Sequence, residues 1–414
     1  MNVSIRLTKS TLAYPGAEKS LITPQLVFND PTTLPVISTF RILSPTGALV
    51  DNNHSLTITS EKIVDLYKHM VTLHTLDTIM YDAQRQGRLS FYMTSSGEEA
   101  VSVASGAISE KHDQIFAQYR EQGAFLARGL SVQDIMNQLY ANSNDHGKGR
   151  NMPIHHVNKA INLHPISSPL ATQIPHAVGA AYALKLTKPN QACSICYVGE
   201  GACSEGDFHA GLNIAATREC PVIFFVRNNG YAISTASKEQ YKGDGIASRG
   251  PGYGIVTIRI DGNDSLAVYE ATKAARDLAV KENRPVLIEA MTYRRSHHST
   301  SDDSFAYRSK HEVDAWKRHD NPISRIRKYM QRPDINIWSD ELEEKFRKAT
   351  KKDILKCLQI AERTKKPPLS EIFTDVYFDN GGKELQPHLK EQKEESDEIL
   401  AQYRSWYHLE DYKA

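Results

Sequence analysis

The stretch that most constrains this chain runs from Gly199 to Ser234, GEGACSEGDFHAGLNIAATRECPVIFFVRNNGYAIS. Cys193 to Val198 (CSICYV), just before it, is an apolar run of strand length that stops at Gly199-Glu200-Gly201, and Pro221 to Val226 (PVIFFV) is a second such run. Between them Ser204 and Asp207 stand as a Ser-x-x-acid start signal for a helix through Ala216. Strand, helix and strand in that order predict a parallel, right-handed unit. Ligands of such sheets bind outside the carboxyl ends of the strands, which is where Glu200 and the Asn228-Asn229-Gly230 turn fall. Mg²⁺ takes oxygen ligands at about 2.0–2.1 Å, with few carboxylates and with phosphate and water completing the shell. Glu200, the amide oxygen of Asn229 and the backbone carbonyl of Tyr231 would supply the protein's share. Diphosphate oxygens would face the helix start, where unpaired N–H groups favour anions. The unit reads as a Mg²⁺-diphosphate site.

Two other readings compete for the same residues. Asn-Asn-Gly is also an ordinary turn, and Gly-x-Gly after a strand is part of a dinucleotide fingerprint. That fingerprint wants a third glycine where Ser204 stands and an acid after the second strand, where Arg227 stands. A nicotinamide enzyme is the weaker alternative.

The 50 basic and 49 acidic residues among 414 nearly cancel, so the charge balance calls for neither nucleic acid nor an anionic membrane as partner. No apolar run reaches the roughly 18 residues of a membrane helix. The cysteines, Cys193, Cys196, Cys203, Cys220 and Cys357, have no paired metal-binding spacing and fit a reducing compartment. Residues 1–17 hold Arg6 and Lys9, several Ser and Thr and no acid, a composition shared by short transit segments and by ordinary termini.

The rest of the chain divides into an irregular arm over 1–57, an α/β domain over 58–335 and a helical extension over 336–414. From Ser60 a broad apolar face (Ile63, Leu66, Tyr67, Met70, Val71, Leu73, Leu76, Ile79, Met80) predicts a helix ending before Gly87. Ile115 to Ala117, Gly254 to Ile260 and Pro285 to Met291 are further strands. Their alternation with helices predicts a doubly wound parallel sheet covered on both faces. Asn142 to Met152, polar and basic, reads as a solvated loop, and Leu342 to Glu362 and Leu389 to Tyr403 as helices. The aromatic end Tyr403 to Leu409 is either a partner surface or docked on the chain's own core.

With these residues in view a family resemblance can be stated. Gly199-Glu200-Gly201 followed after 26 residues by Asn228-Asn229 resembles the thiamine diphosphate motif. The wider text, with ECPVIFF, RNNGYAIST and RSHHSTSDDSFAYRS, resembles the α subunits of branched-chain 2-oxo acid dehydrogenases from about Tyr67 to Tyr377. Glu200, where Asp is usual in the motif, points to the branched-chain enzyme rather than its pyruvate relative.

The resemblance implies oxidative decarboxylation of branched-chain 2-oxo acids with thiamine diphosphate, Mg²⁺ and K⁺, in the mitochondrial matrix. It implies a β subunit in an α₂β₂ assembly, a lipoyl-bearing acyltransferase core, and a regulatory kinase and phosphatase. By the same resemblance Gln118, Tyr119, Arg120, Ser168, Leu170, Gly201, Ala202 and Arg227 hold the cofactor, and His298 meets it as the catalytic histidine. Ser167, Pro169, Thr172 and Gln173 would bind K⁺, Phe91 would wall the substrate pocket, and Ser299 and Ser309 would be phosphorylated. Ser95-Ser96 and Arg295-Ser296 depart from the family's usual residues. A non-catalytic subunit that keeps the fold is the remaining alternative; retention of Glu200, Asn229 and His298 together speaks against it.

Overall fold

The computed structural model describes residues 11–377 and 385–413, so the leader-like segment at 1–17 lies mostly outside the described residues. Two compact units meet in the sequence between Val36 and Ile37. In the first, Thr11–Tyr14 pairs antiparallel with Ala17–Leu21, and a short 3₁₀ turn, Pro31–Thr33, starts at Asp30, whose side chain accepts from Thr32 N.

The second unit is built on six parallel strands: β1 (Thr39–Phe40), β2 (Gln114–Phe116), β3 (Ser194–Gly199), β4 (Val222–Asn228), β5 (Val256–Asp261) and β6 (Val286–Met291). They lie in the order β1-β5-β6-β4-β3-β2. The doubly wound sheet predicted from the apolar runs is therefore present, with one edge strand more than the sequence suggested. Successive residues of the central strands feed opposite layers, as strand geometry requires. Ile195, Tyr197, Ile223, Phe225 and Ile288 point into the larger core; Cys196, Val198, Phe224, Val226 and Leu287 point into the smaller one. Burying each such aliphatic or aromatic side chain is worth about 1.5–3 kcal/mol, and here both faces of one strand contribute.

The larger core is closed by α1 (Ser60–Arg85), whose buried face is the one read from the sequence except that Ile79 is half-buried. Thr59 caps it by accepting from Lys62 N. α2 (Glu99–Gly106) lies beneath it. On the opposite face α3 (Gln173–Thr187) and α4 (Gly206–Thr217) bury Ile174, Val178, Phe208 and Leu212. The Ser204–Asp207 start signal is corrected: Ser204 ends a 3₁₀ turn, α4 begins after Glu205, and Ser204 Oγ accepts from Gln240 rather than from the helix.

The arm was expected to extend to residue 57, yet residues 37–57 belong to the main unit. The reason is Asp264, buried at the start of α5 (Ser265–Glu282). One carboxylate oxygen accepts from Leu266 N and Ala267 N, and the other from Ile42 N at 2.7 Å and Leu43 N at 2.5 Å. β1 can then pair with β5.

Beyond β6, α6 (Lys310–His319) and a short helix over Pro322–Met330 are followed by α7 (Asp340–Arg363), which sends Ile354, Leu358 and Ala361 into the larger core, and by α8 (Pro387–Gln402). The loop Asn142 to Met152 is not simply solvated. Lys148 Nζ stands 2.7 Å from both Glu371 and Asp375, and Arg150 Nη1 is 3.1 Å from Asp375, because the C-terminal segment returns across it. No described helix is long and apolar enough to cross a membrane.

Candidate active site

Four neighbouring strands, β2, β3, β4 and β6, end on one side of the sheet. Their following loops line a half-open cavity of about 230 Å³. β3 delivers Glu200, which is 2 % exposed. Its backbone N–H bonds to Arg227 O at 3.1 Å, so the acid is fixed against β4. Glu200 Oε2 accepts only a long bond from Asn229 N, 3.4 Å, and Oε1 has no partner within the chain. Burial pushes this carboxyl up to about 7, and the neighbouring Glu98 charge adds to the shift. A buried acceptor left unsatisfied costs about 1–3 kcal/mol, and a cation would relieve it.

β4 delivers Arg227, Asn228 and Asn229. Gly230 takes φ +90°, the left-handed turn that glycine allows, and reverses the chain. Asn229 Nδ2 donates to Glu98 Oε1 at 3.0 Å, and its Oδ1 accepts from Tyr231 N at 3.2 Å. Asn228, one residue earlier, points elsewhere, donating to Tyr241 Oη at 2.7 Å and to buried Glu289 at 2.9 Å. At Gly201 an added Cβ would lie 2.4 Å from Ala232 Cβ, so glycine is what lets the 231–236 hairpin close over the strand end.

Three guanidiniums, those of Arg120, Arg227 and Arg294, form the cationic wall. Arg227 is paired with Glu121 and, at 2.7 Å, with Glu98. Burial lowers its proton affinity, but the two carboxylates together outweigh that and hold it above the ordinary arginine value. Arg120, after β2, donates to Thr94 O at 2.6 Å and His298 O at 3.1 Å. His298 sits in the loop after β6 with Nε2 3.4 Å from Tyr119 Oη. Burial, with Arg120 and Arg294 nearby, pushes its imidazole down to about 3, so the ring is neutral at pH 7. Asp302 fixes the turn by accepting from His298 N at 2.7 Å.

The cavity wall thus includes Gln118, Tyr119, Arg120, Leu170, Glu200 and Gly201, and beyond them Ala202, Arg227, Asn229, Tyr231 and His298. Gln118 also pins the end of β3, accepting from Gly199 N at 2.6 Å. Tyr231 O accepts from Arg294 at 3.4 Å.

Other expected site residues stand outside that wall. Ser168 is exposed and its Oγ lies 3.0 Å from His155 Nε2. Ser167, Pro169, Thr172 and Gln173 occupy a single turn, where Thr172 donates to Pro169 O at 3.3 Å and Gln173 Nε2 to Tyr197 O at 3.0 Å. Phe91 packs on the larger core. Ser299 is buried, and exposed Ser309 caps α6 by accepting from Glu312 N. Sequence reasoning assigned no role to Glu98, though Gly97-Glu98-Glu99, two acids opening a helix whose residues are otherwise apolar and small, was a signal.

A family model described as "Dehydrogenase E1 component" matches residues 67–370. The chain belongs to the dehydrogenase E1 component family. It is 50% identical to the mitochondrial 2-oxoisovalerate dehydrogenase subunit alpha of Macaca fascicularis over 397 residues, 96% of this chain and 87% of that protein. Against the subunit of the same name from Caenorhabditis elegans identity is 48% over 404 residues, 98% and 92% of the two chains. For Dictyostelium discoideum it is 52% over 374 residues, 90% and 83%. Among E1 components, then, this chain groups with α subunits, and the family match over 67–370 takes in five of the six strands and all four loops of the cavity.

Proposed function

We propose that this chain is the α subunit of the decarboxylating component of a branched-chain 2-oxo acid dehydrogenase complex, working in the mitochondrial matrix. The observation that carries the reading is the buried, partnerless oxygen of Glu200 beside the amide of Asn229, at the foot of a cavity walled by three arginines. That donor set, one carboxylate, one amide and the carbonyl of Tyr231, suits Mg²⁺ bound together with a diphosphate. Among the described residues no three His, Cys, Asp or Glu side chains converge, so the pair His297-His298 builds no zinc-type cluster there.

Thiamine diphosphate, when bound, supplies the nucleophilic carbon and the electron sink that make loss of CO₂ from a 2-oxo acid feasible. The chain's residues do the holding. Arg120 and Arg227 would meet diphosphate oxygens by charge-assisted bonds, with Gln118, Tyr119, Gly201 and Ala202 shaping the wall. Ser168 and Leu170 would reach the pyrimidine end, and Ser167, Pro169, Thr172 and Gln173 would hold K⁺ beneath it. Neutral His298 can donate or accept one hydrogen bond at Nε2 without adding charge, which suits a group standing where the acyl unit leaves for the lipoyl arm. Phe91 would bound the branched side chain.

A β subunit, a lipoyl-bearing acyltransferase, and a kinase and phosphatase acting at Ser299 and Ser309 complete the proposal. A phosphate on Ser299 would add about −1.5 to −2 charges beside the diphosphate cavity and switch the enzyme off. Coexpression with a β subunit and parallel assays on 4-methyl-2-oxopentanoate and pyruvate test the reading. Decarboxylation of the branched acid that needs thiamine diphosphate and Mg²⁺ is expected; preference for pyruvate, or no cofactor dependence, would refute it.

A further inference from the structure

Glu98 stands immediately before α2, wholly buried. It does not line the cavity, yet its carboxylate meets three groups that do. Oε2 accepts from Arg227 Nη1 at 2.7 Å, Oε1 accepts from Asn229 Nδ2 at 3.0 Å, and Arg120 Nε lies 3.6 Å from Oε1. An ionised carboxylate only accepts. The Asn229 amide must therefore turn its NH₂ toward Glu98 and its oxygen away, where that oxygen also accepts from Tyr231 N at 3.2 Å. A hard divalent cation binds an amide through oxygen, whereas an unconstrained Asn has two nearly isosteric orientations, one of them presenting NH₂ to the cation.

We propose that Glu98 is a positioning residue for the metal-diphosphate site: it holds the Asn229 amide with its oxygen available to the cation. The inference rests on reading the cavity as a Mg²⁺-diphosphate site. A purely structural charge pair would explain the arginine contacts, since two buried guanidiniums need counter-charges and Glu121 already pairs with Arg227. It would not explain the Asn229 contact, which adds nothing to charge balance and selects one face of the amide.

Glu98→Gln keeps size and removes both the charge and the acceptor-only character. In the α₂β₂ complex, thiamine diphosphate binding is followed by calorimetry at graded Mg²⁺. The Mg²⁺ concentration giving half-saturation is expected to rise about 10- to 100-fold, the usual cost of losing a group that orients a metal ligand. Inorganic pyrophosphate without metal should bind at least as tightly as to the parent, because the arginines have lost a competing carboxylate. Unchanged Mg²⁺ dependence, or equal weakening of metal-free pyrophosphate, would overturn the proposal. If Glu98→Gln fails to assemble, Glu98→Asp keeps the charge but shortens the reach to Asn229. The same Mg²⁺ shift is expected of it, and parental behaviour would overturn the role. Cofactor binding by the parent that ignored Mg²⁺ would instead refute the metal reading itself.

Discussion

Glu200 contributes little to the stability of the cofactor-free chain, because one oxygen has no partner and the other a single 3.4 Å bond. Replacing it by Ala should therefore leave the melting temperature of the cofactor-free complex unchanged or raised. The gain on adding Mg²⁺ and thiamine diphosphate, about 2.7 kcal/mol at a hundredfold excess over Kd, should vanish, which thermal melts with and without ligand would show. Asp77 behaves differently. It accepts from Tyr92 Oη at 2.8 Å and Ser95 N at 2.6 Å, and burial, opposed by those bonds and aided by Glu99, pushes its carboxyl up to about 7. A carboxyl raised above its unfolded value of about 3.9 contributes stability that is complete below that value and lost as pH rises through about 7. The melting temperature of the complex should thus fall between pH 6 and pH 8, and fall less in Asp77→Asn; parallel slopes would show that Asp77 does not titrate there.

The loop from Tyr293 to Ser309 is held by contacts with residues 92–99. Arg295, buried against Glu99 at 2.9 Å, also donates its backbone N–H to Ser96 O at 3.0 Å, and Thr94 donates to Ser296 Oγ at 2.6 Å. Thr300 N bonds to Tyr92 O and its hydroxyl accepts from Tyr92 N. Residues 92–99 and 295–300 thus meet and clamp one loop. A charge-assisted hydrogen bond contributes about 1.5–3 kcal/mol, so Arg295→Ala should speed amide exchange over 296–302 by more than tenfold while the strands stay protected. Exchange at the parental rate would mean that Thr300 and Arg308, whose guanidinium donates to Ser296 O at 2.6 Å, hold the loop alone. None of this pairing was legible in the sequence, since residues some two hundred positions apart carry no local signal of contact. The strands were legible because period and apolarity are local: all five longer strands lie within a few residues of the runs that predicted them. Glu200, Asn229 and their turn were legible for the same reason, being tied to strand ends. Glu98, acting from another element through a side chain, left only the weak sign of two acids opening an apolar helix, and β1 was missed because its two exposed residues depend on Asp264 for their place.

At the scale of the molecule the cavity is too small for its proposed occupant. Sites that bury most of a ligand of cofactor size measure about 300–1,000 Å³, against about 230 Å³ here. Its rim carries apolar side chains open to solvent: Leu170 is 41 % and Ile233 52 % exposed. The strand-end side of the cavity has a carboxylate, an amide and arginines, all buried, while the far side has a rim with nothing over it among the described residues. A second chain laid on that rim would bury Leu170 and Ile233 and complete the ring-binding half, which is the division of labour expected of an α and a β subunit. The pure α chain should therefore bind Mg²⁺-thiamine diphosphate at least tenfold more weakly than the α₂β₂ complex and decarboxylate no 2-oxo acid. Adding separately purified β should restore both, with Leu170→Asp slowing the recovery by placing a charge in the new interface. Titration calorimetry and CO₂ release measured on the same preparations decide the matter. Turnover by α alone at the complex's rate would mean that one chain holds a whole site, and the open rim would then need another explanation.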